Sequence, residues 1–297
     1  MFPSISSSKQ KKSITTIGFY NVENLFDTED NPNTADDDFT ADGKKRWNYK
    51  RYKIKIKKLS SVISQLGLKR SKLPPAIVGL VEVENAKVVE DLVNSSNLRK
   101  HHYGFVHYDS PDERGIDVAL LYNKQVFELL DSETFPVFLT DDEGDRDYTR
   151  DILKVSGNLH GELVHILVNH WSSRREGAEE TEHKRITAAE TARSVIDKIR
   201  EKEMDPRIIV MGDFNDDPTS KSIKQHLVLD DFYNPMESLL DREKNGTLTY
   251  DGKWNLFDQI IFSKNFLDKE NGMFYFKHAE VFNKEWLKIF KGKLKGS

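Results

Sequence analysis

The stretch Arg207-Ile208-Ile209-Val210-Met211-Gly212-Asp213-Phe214-Asn215-Asp216-Asp217-Pro218 constrains this chain more than any other. Residues 208–211 are uninterruptedly apolar and mostly β-branched, as in a strand buried on both faces, so the fold has to supply a covering layer on either side. Gly212 marks a sharp backbone turn. Asp213 and Asn215, two positions apart, point to one side if the backbone stays extended. A carboxylate there accepts a proton or holds a cation, and the neighbouring amide donates hydrogen bonds to a developing oxyanion without adding charge. The same residue types also build an Asx turn, and this stretch alone does not separate the two readings.

With 297 residues, 37% of them hydrophobic and 10% aromatic, the chain can bury a large core. It reads as a soluble globular protein. No apolar run approaches the roughly 20 residues that span a bilayer, and MFPSISSSKQKK lacks the apolar core of a secretory signal. A cytoplasmic location is expected, although an exported chain whose signal had been removed would read the same. The absence of cysteine excludes disulfides, thiolate metal sites and cysteine nucleophiles. The formal charge of -4 carries no polyanion-binding signature, so any nucleic-acid contact has to be local. Basic residues gather between Lys44 and Lys58, but Tyr52, Ile56, Leu59, Ile63 and Leu66 recur there at spacings of 4, 3, 4 and 3. That is an amphipathic helix with a lysine-rich solvent face.

Strands are expected at Ser13–Tyr20, Pro75–Val81, Gly104–Tyr108, Ile116–Tyr122, Ile152–Asn158, Leu163–Val168, Arg207–Met211, Gly246–Tyr250, Phe257–Phe262 and Met273–Phe282. A short helix is expected after Asn85 and a long one over Ala178–Lys202, with Gly67 closing the lysine-rich helix. Interleaved strands and helices with tight hairpin-like pairs predict a layered α/β protein with mixed sheets. Residues 1–12 are expected to be a flexible N-terminus and residues 13–297 a single domain, since no repeat, linker or composition break divides them. Gly144–Tyr148 is expected to be an exposed loop. The loop Asp27–Asp42 holds six aspartates without the spacing of an EF-hand and is expected to be solvated.

Further polar residues stand where strands end. Asn21 follows Tyr20 and can orient a ligand or phosphate oxygen, or form a turn. Glu82 closes the run AIVGLV, well placed for Mg²⁺, with Glu84 a weaker candidate. Asp117 lies in GIDVALLY, where its charge needs a partner or a cavity. His170 follows HILVN, and an adjacent Asp117 would raise its pKa and make it a cation suited to a phosphate oxygen; a structural hydrogen-bonding role is the alternative. Asp258 sits between apolar residues in WNLFDQIIF and needs a partner as well.

In order, these segments resemble the endonuclease/exonuclease/phosphatase superfamily, which includes deoxyribonuclease I, apurinic endonucleases, neutral sphingomyelinases and inositol polyphosphate phosphatases. Asn21 matches its first-strand Asn, Glu82 its metal-binding Glu, His170 its mid-chain His, Asp213 and Asn215 its Gly-Asp-x-Asn motif, and Asp258 the Asp of its late Asp-x-Ile strand. Thr149-Arg150-Asp151 looks like the segment whose Arg contacts phosphate in the nuclease branch. The resemblance implies a four-layer α/β/β/α sandwich of two mixed sheets flanked by helices. It also implies a metal-assisted phosphoester hydrolase using Mg²⁺, with Mn²⁺ or Ca²⁺ as alternatives.

In that reading Glu82 holds the metal, Asp213 orients or deprotonates water, Asn215, Asn21 and His170 stabilise phosphoryl charge, and Asp258 would orient the family's closing His; Asp117, as the acid read beside His170, joins the catalytic set. Arg150, Arg174 and Arg175 would grip flanking phosphate, with a solvated surface the competing account for the arginines. The family's closing Ser-Asp-His motif has no counterpart after Phe282, where the sequence reads NKEWLKIFKGKLKGS. A chain shortened by its last strand and a divergent member working without that imidazole both fit. A phosphodiester, nucleic acid among the possibilities, is the expected substrate. The alternatives are a phosphomonoesterase or phospholipid-directed relative, or a catalytically impaired binding protein.

Overall fold

The computed structural model describes residues 13–141, 143–270 and 274–287. The expected N-terminal arm (1–12), Met273 and the stretch after Leu287 lie outside the described residues. Strands β1 (Ile17–Leu25), β2 (Ile77–Val83), β3 (Tyr103–His107) and β4 (Asp117–Asn123) form a mixed sheet in the order β1-β2-β4-β3, with β1 and β2 parallel. The second sheet uses β5 (Phe127–Phe135), β8 (Ile152–Leu159), β9 (Glu162–His170), β10 (Ile208–Asp213), β11 (Phe232–Tyr233) and β14 (Asp258–Ser263), ordered β11-β14-β10-β9-β8-β5. Two small hairpins pair β6 (Leu139–Thr140) with β7 (Arg146–Asp147) and β12 (Leu248–Tyr250) with β13 (Lys253–Asn255).

Three hydrophobic clusters stack these sheets into the expected α/β/β/α sandwich. On β10, Ile208 and Val210 pack toward the second sheet's helix while Ile209 and Met211 enter the cluster between the sheets, the period of two that a doubly buried strand requires. Ile77, Val81, Val118 and Leu120 meet them from the first sheet. Gly79 permits the close approach, because a Cβ there would stand 2.5 Å from the Met211 sulfur.

Helix α1 (Tyr49–Ile63) starts where Asn48 accepts the Arg51 N–H, and it buries Tyr52, Ile56, Leu59 and Ile63 as its spacing predicts. After α2 (Leu68–Ser71), α3 (Ala86–Val93) is capped by Asn85 and buries Val88, Val89, Leu92 and Val93 beside α1. Helix α4 (Glu182–Arg200) covers the second sheet with Ala188, Ala192, Val195 and Ile199. It begins four residues later than expected, because residues 178–181 form a turn in which the Thr181 hydroxyl donates to the Gly177 carbonyl at 2.6 Å.

Other expectations are corrected. Strand β5 carried no sequence signal, being a largely exposed edge whose face does not alternate cleanly. Residues 274–282 are irregular rather than a strand; Phe276 instead donates its N–H to the Phe266 carbonyl at 2.6 Å and stacks edge-on against Tyr233. Residues 144–148 are partly ordered as β7. The aspartate-rich loop is not simply solvated, for Asp36 and Asp27 retain 1% and 8% exposure.

Candidate active site

The carboxyl ends of β9 and β10 lie beside the amino end of β14, so strand register sets the first row of the site. His170 pairs with Asp213 across the parallel β9–β10 ladder, and Asp213 pairs with Asp258 across the antiparallel β10–β14 ladder. Gly212 lets β10 lie flush against β9, since a Cβ there would come within 2.4 Å of the Asn169 carbonyl oxygen. The first sheet supplies the facing row. A bulge in β2 between Val81 and Val83 puts Glu82 at φ 65°, an unusual conformation for a side-chain-bearing residue, and re-aims its carboxylate.

Asn21 on β1 joins the two rows. Its amide donates to Glu82 Oε1 at 3.1 Å and to Asp213 Oδ2 at 3.0 Å, while its carbonyl accepts the Glu23 N–H at 2.8 Å. Asp213 Oδ1 accepts the Asn215 N–H at 2.9 Å, so the Asx turn is present too and serves to orient the carboxylate. Asn215, at φ 50°, donates its amide to the Trp171 carbonyl at 2.9 Å.

Negative charge is concentrated here. Burial pushes Asp213 above the usual carboxylate range, partly offset by the Asn215 N–H and the Asn21 amide, and Glu82 adds to the rise. Asp258 is pushed well above its ordinary value by burial and then by Asp213, Glu82 and Glu23. Among the described residues none donates a hydrogen bond to the Asp258 carboxylate. Tyr20 is pushed up to about 12 by burial, Glu23 and Asp258, so its hydroxyl keeps its proton. Lys55 of α1 reaches in and donates to the Glu23 carbonyl, with burial lowering its pKa against the pull of Glu23 and Glu82. One of the lysines read as a solvated face therefore belongs to the rim of the site. Periodicity could not single it out.

His170 is buried, its Nε2 lies 3.8 Å from Glu82 Oε1, and its Nδ1 has no partner among the described residues. Burial first, then Arg150 and Arg114, hold its pKa well below the ordinary value, so it is a neutral imidazole. The expected cationic pair with Asp117 is thereby corrected. Asp117 instead accepts the Ser110 N–H at 2.8 Å and hydroxyl at 2.5 Å, and lies 3.1 Å from His107 Nε2. With Asp109, these residues bring ligand-type atoms within 4.8 Å of one another. Yet Asp117 already faces three polar partners and Asp109 is 89% exposed, so the trio reads as a tie between β3, β4 and their loop.

The arginine expectations change too. Arg150 is 6% exposed and its guanidinium is committed to Asp112 at 2.9 Å and to the carbonyls of His170 at 3.1 Å and Trp171 at 2.6 Å. It braces the wall behind His170 and presents no free edge to phosphate. Arg114 shares Asp112 at 3.3 Å while its side chain stays 41% exposed, making it the accessible cation that motif reading missed. Arg174 donates to the Asn215 carbonyl at 2.7 Å and to Asp216, and lies 4.7 Å over the Phe257 ring, so it steadies the loop after Asp213. Arg175 is exposed. Asp216 and Asp217 are buried against Arg174, Arg185 and Arg242. Glu84 turns away to accept the Asp27 N–H at 2.5 Å.

A profile described as "Endonuclease/Exonuclease/phosphatase family" matches residues 16–297. The chain belongs to that family. Endonuclease/exonuclease/phosphatase members are phosphoester hydrolases that generally use divalent metals. Solved structures share the fold at low identity. A D. rerio TDP2 complexed with single strand DNA product aligns at TM-score 0.51 and 19% identity over 83% of this chain and 82% of that one. The human Nocturnin catalytic domain with bound sulfate aligns at 0.52 and 19%, over 70% and 75%. A Bacteroides thetaiotaomicron mannosyl-6-phosphatase aligns at 0.51 and 17%, over 84% and 85%. No curated protein sequence matches. Among the described residues no helix is long and apolar enough to cross a membrane.

The donor set fits a hard divalent cation. Glu82, Asp213 and Asp258 offer carboxylate oxygens and no sulfur, and Asp213 and Asp258 stay raised although Arg150 pulls on Asp213, the electrostatic condition that a bound Mg²⁺ relieves.

Proposed function

We propose that this chain is a divalent-metal-dependent phosphodiesterase in which Asp213 orients and deprotonates the attacking water. What carries the reading is the Asn21 amide clamping Glu82 and Asp213, from two different sheets, beside an Asp258 carboxylate that receives no hydrogen bond among the described residues. Glu82, with Asp258 as a second oxygen donor, would hold Mg²⁺, and when bound the ion neutralises charge developing on the phosphoryl oxygens. The side chains do the rest. Asn21 and the Asn215 N–H fix both oxygens of Asp213, and the raised proton affinity of that carboxylate suits a general base. His170, uncharged and rigidly backed by Arg150, is a hydrogen-bond donor for a phosphoryl oxygen that adds no repulsion toward the metal. Arg114 supplies an exposed guanidinium for a neighbouring phosphate oxygen.

The test is Mg²⁺-dependent hydrolysis of bis(p-nitrophenyl) phosphate, with EDTA as control. Asp213→Asn and Glu82→Gln should each lower kcat by at least about 10²–10³-fold, the scale of losing a general base. Wild-type rates in either variant would overturn the assignment.

A further inference from the structure

The β6–β7 hairpin leads into the Thr149-Arg150 segment that braces this site, and two aromatic rings that the fold leaves uncovered flank it. Phe138 is 72% and Tyr148 49% exposed. Arg146 lies over both, its guanidinium carbon 4.3 Å from the Phe138 centroid and 5.5 Å from that of Tyr148. The arrangement is held rather than loose. Arg146 donates to the Val137 carbonyl at 3.0 Å, Val137 and Leu139 are buried in the α4-side core, and Lys184 of α4 pairs with Asp147 at 2.9 Å. Its position relative to the chemistry follows from the chain. Val137 and Thr149, the residues next to the two rings, line a small cavity together with Arg150, His170 and Trp171. A rigid, cation-backed pair of aromatic faces is the kind of surface on which a nucleobase stacks, because every base offers a π-face.

The hairpin tip limits how much more can bind. Asp141, Glu143 and Asp145 are exposed there, a charge that repels a continuing phosphate backbone or an anionic lipid surface. We infer that Phe138 and Tyr148 form a ledge that stacks the base of a short, nucleotide-sized phosphodiester whose scissile group lies at the Glu82–Asp213 site. The ledge selects the substrate class and takes no part in bond breaking. The inference rests on the phosphodiesterase reading above, and its test keeps the two apart.

Two esters with the same leaving group serve as substrates, thymidine 5′-(p-nitrophenyl phosphate) and methyl p-nitrophenyl phosphate. Phe138→Ala/Tyr148→Ala should raise KM for the nucleoside ester roughly tenfold or more, the scale of a lost stacked base, and leave the methyl ester within about twofold. Phe138→Trp should restore the nucleoside ester. Equal losses on both esters, or none on either, would overturn the ledge. A dinucleotide containing 2-aminopurine, whose fluorescence is quenched on stacking, reads the ledge without turnover. Quenching by the wild type that disappears in the double variant supports the ledge even if neither ester is hydrolysed, an outcome that would sink the phosphodiesterase reading alone. Turnover of both esters without any quench would sink the ledge alone.

Discussion

At the residue scale, carboxylates are held where water would ordinarily be preferred. Asp258 gains its charge against burial and three neighbouring acids, so Asp258→Asn should raise the melting temperature of metal-free protein near neutral pH and have little effect near pH 3, where the wild-type group is already protonated. Thermal melts in EDTA at the two pH values check this. Glu84 gives a second expectation in a measurable range. Burial, with Asp27 and Asp36 behind it, pushes Glu84 up to about 8 from an ordinary 4.5. Its folded pKa is raised, so its favourable contribution is complete below the unfolded value and is lost as pH rises through about 8. Glu84→Gln, which keeps an acceptor for the Asp27 N–H, should remove part of the stability loss between pH 5 and pH 9 in EDTA buffer; parallel wild-type and variant curves would refute the assignment. Residue types at strand ends marked Asn21, Glu82, His170, Asp213 and Asp258 in the sequence. Their partners were not legible. Asp117 looked available to His170 because nothing in its own strand shows that His107, on the neighbouring strand, reaches it first.

At the element scale, long periodic segments were readable and edges were not. Helix α1 and strand β10 each bury a regular set of side chains, and regular burial leaves a regular sequence. Strand β5 and residues 274–282 fail in opposite ways. The first pairs through its backbone while exposing most of its side chains, and the second has apolar side chains that seal a core without pairing in a ladder. Arg150 acts at this scale, tying the segment before β8 to the end of β9. Arg150→Met should destabilise the fold by about 3–5 kcal/mol, because it leaves Asp112 buried with a weaker, partly solvated partner, and chemical denaturation measures it. A loss below about 1 kcal/mol would mean that the arginine is idle as a brace.

At the scale of the whole molecule, the α/β/β/α arrangement follows from the apolar runs. The site follows from which strand ends face each other across two sheets, and composition carries no trace of that pairing. Because crowded acids stand at that meeting point, Mg²⁺ should raise the wild-type melting temperature in a saturable way, and Glu82→Gln should blunt the shift. Equal shifts in both proteins would place the ion elsewhere.

The shared register of β9, β10 and β14 has one further consequence. Sliding β10 by a single position would exchange Asp213 for Gly212 or Phe214 in the row, and would also turn Ile209 and Met211 away from the inter-sheet interior. Chemistry and folding are thus proofread by the same event: any misthreaded conformer that scrambles the acids also turns its hydrophobic interior inside out, so wrongly assembled copies are eliminated by instability before they can bind anything.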